Sequence, residues 1–333
     1  MTDGNLAAFR ARALLLRSTR EFFWERGYLE IDTPVLSPAL IPEHTIEAFA
    51  TDLFSHTGDA RRLFLVPSPE VWMKRLLALG AGNIFQICRC FRNAEPPTGV
   101  HHPEFTMLEW YSVNADYRDN MTLQEEYGER LRLALGVAET VSVRGRPVNL
   151  RPPYRRISLQ EAFFDLADVD LASCGEWGAL REAASRVGVG TVSSDDWESL
   201  FHKIFLEKVE PRLPWNRPLF MIDYPAALPT LARTRDDGLS AERWELYVGG
   251  LEIANCYTEE RDPVRLAAFF RREEAARRDA RVGAPPDREL EHIMADGLPP
   301  SSGNALGLDR LLMVLIGKTS INEVLPFAWY TQR

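Results

Sequence analysis

One stretch, residues 85–111 (FQICRCFRNAEPPTGVHHPEFTMLEWY), constrains this chain more than any other. Two runs of strand-like alternation flank a loop broken by proline and glycine. Phe85, Ile87, Arg89 and Phe91 alternate with Gln86, Cys88, Cys90 and Arg92, while Phe105, Met107, Glu109 and Tyr111 share one face of the second run. An arginine closes the first strand, and a carboxylate and a phenol emerge from an apolar face of the second. A carboxylate in that setting requires a partner. The pattern therefore predicts a hairpin with an anion site at one end and a site for a cationic or polar group at the other, in preference to a hairpin with solvated charges.

The rest of the chain bounds what such a hairpin can belong to. With 333 residues and 45% hydrophobic side chains, it has the material for a large core. Its 48 acidic against 39 basic residues give a net charge of −9, which discourages non-specific nucleic-acid binding. The cysteines, Cys88, Cys90, Cys174 and Cys256, lack CxxC spacing, so reduced thiols are expected and a structural zinc is not. No signal-peptide core and no membrane span is legible, so a soluble cytoplasmic protein is expected.

Taken in order, residues 6–26 read as an amphipathic helix with Leu6, Phe9, Ala13, Leu16 and Phe23 on its apolar face, stopped by Gly27. A short strand, YLEIDTPVLSP, follows. Residues 39–60 read as loop with a short strand near Phe49, and 62–66 as a strand. Ser68 is the expected N-cap of a helix that has Pro69 at its first position and ends at Gly80; locally, Glu70 need only favour the helix dipole. Residues 119–135 are helical, and Ser158 with Glu161 forms a capping box before a charged helical region, 158–214, expected to carry little chemistry. Strand signals return at LFMIDYP and in a hairpin, RWELYV and LEIANCYTEE, turning at Gly249–Gly250. On its second strand Asn255, Tyr257 and Glu259 share one parity. Glu252 has the other, so it joins the same site only if the strand bulges. Two carboxylates there suit magnesium, and a solvated acidic edge suits the pattern equally. Residues 263–281 form an arginine-dense helix with a solvated face. SSGNALGLDRLLMVLIG ends a small-residue strand in an apolar helix that begins near Leu308, with Arg310 in its first turn. Neither a P-loop nor a GxGxxG fingerprint is present.

Together, the opening helix with YLEIDTP, FRNAE…HHPEFTMLEWY and ALGLDRLLM resemble the three signature motifs of class II aminoacyl-tRNA synthetases. SPEVWMKRLL, GGLEIANCYTE and GLDRL bring the similarity closest to the lysyl type, over nearly the whole chain. The resemblance implies an α+β fold, an antiparallel sheet flanked by helices, as one catalytic domain over residues 1–333 with the helical insertion at 158–214. With the first motif starting near Leu6, no room is left for an N-terminal anticodon-binding domain. The chain is thus similar to the elongation factor P β-lysine ligase family, which activates (R)-β-lysine with ATP and transfers it to a lysine of elongation factor P. Ala305, where lysyl-tRNA synthetases usually have glycine, supports that branch. Implied partners are ATP, Mg2+, lysine or β-lysine, elongation factor P and a second copy in a homodimer, with tRNA not expected.

By position, the resemblance gives Arg92 the ATP α-phosphate and substrate carboxylate, and Arg310 the adenine face and γ-phosphate. Glu245 and Glu252 would hold magnesium. Ser68, Glu70, Glu109, Tyr111, Asn255, Glu259 and Ala305 would form the amino-acid site, with Tyr257 as an apolar wall. Asn93, Glu95, His101, His102, Ile253 and Gly307 would complete the ATP site. Three departures stand out: Ala94 where the family has glutamate, with Glu95 a replacement in a loop one residue longer; His102 where it has asparagine; and Cys256 where it has glycine, expected to narrow the pocket. Competing readings are a truncated synthetase charging another acceptor, an asparagine synthetase-like core, and a non-catalytic paralogue. The last typically lacks the two arginines present here as Arg92 and Arg310.

Overall fold

A computed structural model describes residues 3–96 and 98–329. Pro97, in the loop expected to be longer, lies outside the described residues. The chain opens with α1 (Asp3–Glu25), and Gly27 at φ 75° reverses the backbone after it. Its buried stripe runs through Ala8, Leu15 and Phe22 and includes the polar Arg12 and Thr19, while Leu6 is exposed. The apolar face expected from hydropathy is therefore rotated, because Arg12 is matched by a buried partner, Asp309.

YLEIDTPVLSP is split rather than one strand. β1 (Leu29–Glu30) runs parallel to β5, and β2 (Leu36–Ser37), beyond Pro34, joins a second sheet with β3 (Phe49–Phe54) and β4 (Ala60–Leu65). Helix α2 (Glu70–Ala78) follows; its first-turn donors on Trp72 and Met73 reach the Pro69 carbonyl, so Pro69 and not Ser68 is the N-cap. The expected hairpin is β5 (Ile84–Phe91) and β6 (Glu104–Val113). Next come α3 (Tyr117–Ala134), capped by a box of Asp116 and Asp119, then β7 (Thr140–Val143), β8 (Arg146–Asn149) and β9 (Arg155–Ser158). The Ser158–Glu161 box starts α4 (Leu159–Ala167), followed by α5 (Trp177–Arg186) and α6 (Trp197–Ile204). β10 (Leu219–Pro225), β11 (Ser240–Val248) and β12 (Leu251–Thr258) precede α7 (Pro263–Ala276). A helix the sequence reading missed, α8 (Arg288–Gly297), stands before β13 (Ser301–Gly307) and α9 (Leu308–Leu315).

Eight strands form the main sheet in the order β1-β5-β6-β13-β12-β11-β10-β9. Only β1–β5 and β9–β10 are parallel. The chain is therefore α+β, and its antiparallel centre presents two unlike faces. One packs Phe85, Leu108, Trp110, Trp244 and Leu306 against Phe22, Phe23 and Tyr127 of α1 and α3 and against α9. At one end of the other face, Phe64, Met73 and Leu77 meet Phe270 and Leu290 of α7 and α8. At the opposite end, Phe163, Phe201 and Phe205 pack on Leu219 and Met221 of β10. A cleft of about 610 Å³ lies between these two masses.

Candidate active site

Strand registry builds the floor of the cleft. Glu245, Asn255, Ala305, Glu109 and Gln86 are successive cross-strand partners on β11, β12, β13, β6 and β5. The neighbouring row is Arg243, Tyr257, Gly303, Tyr111 and Ile84. Directly paired residues project to the same side of an antiparallel sheet, so the parity expected of β6 and β12 puts these side chains on one surface. The anticipated bulge is present as well: Leu246 pairs with Ala254 but Tyr247 with Glu252, leaving Ile253 as the extra residue. That shift turns Glu252 into the cleft beside Glu245. Gly303 leaves room for its neighbours, since a Cβ there would sit 2.5 Å from the Tyr111 ring and 2.9 Å from Glu259 Oε1.

One end of the floor is anionic and buried. Tyr111 donates to Glu109 Oε1 at 3.0 Å, whereas Glu109 Oε2 and Asn255 Oδ1 are buried without a hydrogen-bond partner among the described residues. Burial, then the charge of Glu70, holds the Glu109 carboxyl well above its usual range. Glu70 is buried and accepts from Tyr257 Oη at 2.6 Å, with Lys74 Nζ also 2.6 Å away, so its role exceeds a dipole contact. Tyr257 is accordingly a hydrogen-bonding wall and not an apolar one. Lys74 Nζ is 2.8 Å from Glu259, which pairs there and does not line the cleft. Burial and the Glu70 charge push Glu43, unforeseen from sequence, up to about 7.

The other end is cationic. Arg92, at the close of β5, stands over the Phe105 ring at 5.4 Å and keeps a buried Nε without a hydrogen-bond partner among the described residues. Arg310 is aimed by two carbonyls, Nε to Val100 and Nη1 to Glu252, both at 3.0 Å. Burial, with Arg310 and Arg92 nearby, depresses His101 to about 4, leaving a neutral ring hydrogen-bonded to Thr98. Burial and the Glu245 charge raise Glu252 to about 7. Glu245 and Glu252 supply only carboxylate oxygens from adjacent strands, a donor set that fits magnesium. Arg243, 2.7 Å from Glu245, adds a third guanidinium that its parity with Glu245 could have disclosed.

Of the residues singled out from sequence, Ser68, Glu70, Arg92, Glu95, His101, His102, Glu109, Tyr111, Glu245, Glu252, Ile253, Asn255, Tyr257, Ala305, Gly307 and Arg310 all line the cleft. Asn93 does not; its amide bonds the Ala48 carbonyl at 3.3 Å and anchors the loop. Cys256 shares a row with Trp244 and Asn304 on the opposite face, inside the core, so it does not narrow the pocket. Nor does the helical region stand apart, because Glu198, Phe201, His202 and Glu210 form part of the cleft wall.

A family model described as tRNA synthetases class II (D, K and N) matches residues 1–331. The chain belongs to this family. A lysine–tRNA ligase from Chloroflexus aurantiacus is 36% identical over 98% of this chain, which spans 65% of that protein's length. Elongation factor P–(R)-beta-lysine ligases from Vibrio vulnificus and Edwardsiella ictaluri are 36% and 38% identical over 97% and 95% of this chain, and over 96% and 93% of their own lengths. Class II membership matches the floor just described, with its guanidinium-bearing end formed by the second and third motifs.

Proposed function

We propose that the chain activates a lysine-like diamino acid, (R)-β-lysine or lysine, with ATP and transfers it to a lysine side chain of elongation factor P. The observation that carries this reading is the pair of buried acceptors without a hydrogen-bond donor among the described residues, Glu109 Oε2 and Asn255 Oδ1, on residues lining a cleft whose far end holds Arg92 and Arg310. Buried acceptors without donors cost free energy until a ligand supplies them. Ammonium groups are donors only, and a diamino acid brings two. The named β-lysine ligases support the acceptor, since the match spans nearly their whole length as well as this one.

In the first step the substrate carboxylate attacks the α-phosphorus in line; a P–O bond forms and pyrophosphate leaves. Arg92 would bind an oxygen of the substrate carboxylate and an oxygen of the α-phosphate, its fork matching the two groups that this bond joins. Arg310, held by Val100 and Glu252, would meet the outer phosphates, and positioning with charge neutralisation supplies the rate. Magnesium, held by Glu245 and Glu252, would offset phosphate charge. In the second step the acceptor amine attacks the acyl carbon, the amide forms, AMP leaves, and the amine gives up a proton. Glu70, Glu109 and Tyr111 would hold the amino groups of the activated acid away from this attack. The reading includes a homodimer through the exposed Leu6, Leu14 and Trp24 of α1, and a cytoplasmic setting where ATP and the acceptor meet. Among the described residues no helix is long and apolar enough to cross a membrane.

Pyrophosphate exchange with (R)-β-lysine, α-lysine and asparagine tests activation, and addition of elongation factor P or lysine tRNA tests transfer. Exchange with a diamino acid and transfer to the protein are expected. No exchange with any of the three amino acids would sink the enzyme reading, and transfer to tRNA alone would sink the acceptor.

A further inference from the structure

Among the described residues Lys74 is the largest charged side chain wholly enclosed by the fold, with none of it exposed. An isolated ammonium in that position would be costly, and two carboxylates offset the cost. Nζ lies 2.6 Å from Glu70 Oε1 and 2.8 Å from Glu259 Oε2, with Tyr257 Oη at 3.4 Å. Glu70 takes both Lys74 and Tyr257 on the same oxygen, Oε1, so its Oε2 remains for the cleft that it lines. Glu259 is closed off behind Gly303 and does not reach the cleft.

We propose that Lys74 is a positioning residue of the amino-acid pocket, a built-in counter-ion that neutralises Glu259 and turns Glu70 Oε2 toward the substrate's ammonium. This rests on the diamino-acid reading. Four carboxylates (Glu43, Glu70, Glu109 and Glu259) crowd this end, with Tyr111 and Tyr257 beside them, and Arg92 also acts on Glu43. Burial favours neutral carboxyls at Glu43, Glu109 and Glu259, and the Lys74 charge opposes that at all three. Burial works against the Lys74 ammonium too, but the charges of Glu259 and Glu70 outweigh it and hold its pKa above the ordinary value. Lys74 thus lowers the pH at which these buried carboxyls take up their negative charge, because one cation is covalently part of the pocket.

The test compares wild type, Lys74→Met and the double variant Lys74→Met/Glu259→Gln by pyrophosphate exchange between pH 6.5 and 8.5, with circular dichroism as the check on folding. In Lys74→Met the KM for the diamino acid should rise at least tenfold at pH 7 and recover toward pH 8.5, with KM for ATP unchanged. The double variant, which removes the buried charge left behind, should return the pH profile toward wild type, and it carries the test if the single variant does not fold. A pH-independent loss, or a double variant no better than Lys74→Met, would overturn the role. Absence of exchange by wild type would instead overturn the function on which it rests.

Discussion

Replacing Asp309 by alanine should unlock the three signature motifs from one another. Asp309 is 1% exposed and pairs with Arg12 of α1, while its Oδ2 accepts from the Thr106 backbone N–H of β6 at 2.7 Å. Arg12 also donates to Thr106 Oγ1 at 2.5 Å, so one carboxylate ties the first helix, the central hairpin and the last helix together. Removing one member of a buried pair leaves the other uncompensated, at a cost of about 3–5 kcal/mol. With an unfolding entropy of about 2.1 cal/mol/K per residue, roughly 0.7 kcal/mol/K for this chain, a loss of about 4 kcal/mol lowers Tm by about 6 °C. Differential scanning fluorimetry without ligands reads this directly. The double variant Arg12→Met/Asp309→Leu removes both charges and should lose less than Asp309→Ala, since apolar replacement of a whole buried pair is often close to neutral. A Tm shift under about 1 °C for Asp309→Ala, or a double variant that is worse than the single one, would refute the view that an unpaired buried charge is the cost.

Other outcomes follow from the floor of the cleft. Glu109→Gln should raise KM for the diamino acid about 30-fold or more, the consequence of about 2 kcal/mol for losing a buried charge partner, and leave KM for ATP within a factor of two or three; steady-state exchange assays decide it. Glu252, pushed up to about 7, contributes stability that is present below the unfolded carboxyl range and is lost as pH rises through that value. Stabilisation by magnesium with ATP, read as a thermal shift, should therefore grow from pH 6 to 8 and disappear in Glu252→Gln. Gly303→Ala should cost about 1–3 kcal/mol by overpacking against Tyr111, measured by denaturant unfolding, together with weaker amino-acid binding. Ala305→Gly should move selectivity toward α-lysine; an unchanged ratio of kcat/KM values would remove Ala305 from the specificity argument.

What could be read in advance follows the range of the forces involved. Side-chain parity is a property of the strand itself, so the shared surface of Phe105, Met107, Glu109 and Tyr111 and the bulge at Ile253 were accessible from local pattern. The split of YLEIDTPVLSP was not, because β1 and β2 are recruited by different sheets. Lys74 is four residues from Glu70, the spacing of a helical ion pair, and that signal was available. Its second partner, Glu259, comes from across the fold, and no short-range rule connects them. The same holds for Glu43, which acquires its place only when the loop before β3 closes over α2, and for Arg12, whose burial makes sense only once Asp309 is beside it. Helix α8 was missed because only two of its residues, Leu290 and Met294, are buried.

The row Glu245, Asn255, Ala305, Glu109 works as a ruler laid across the strands. Its graduations are the strand spacing, about 4.8 Å, so the Glu245 and Glu109 carboxylates stand three steps or about 14 Å apart. Backbone hydrogen bonding sets those marks, and no point mutation moves them by less than a whole step. One methylene in a substrate is a much smaller length. Discrimination between chains differing by one carbon, or between an α- and a β-amino group, must then come from what stands on the marks between the ends. In this chain the mark one step from Glu109 carries the single methyl group of Ala305.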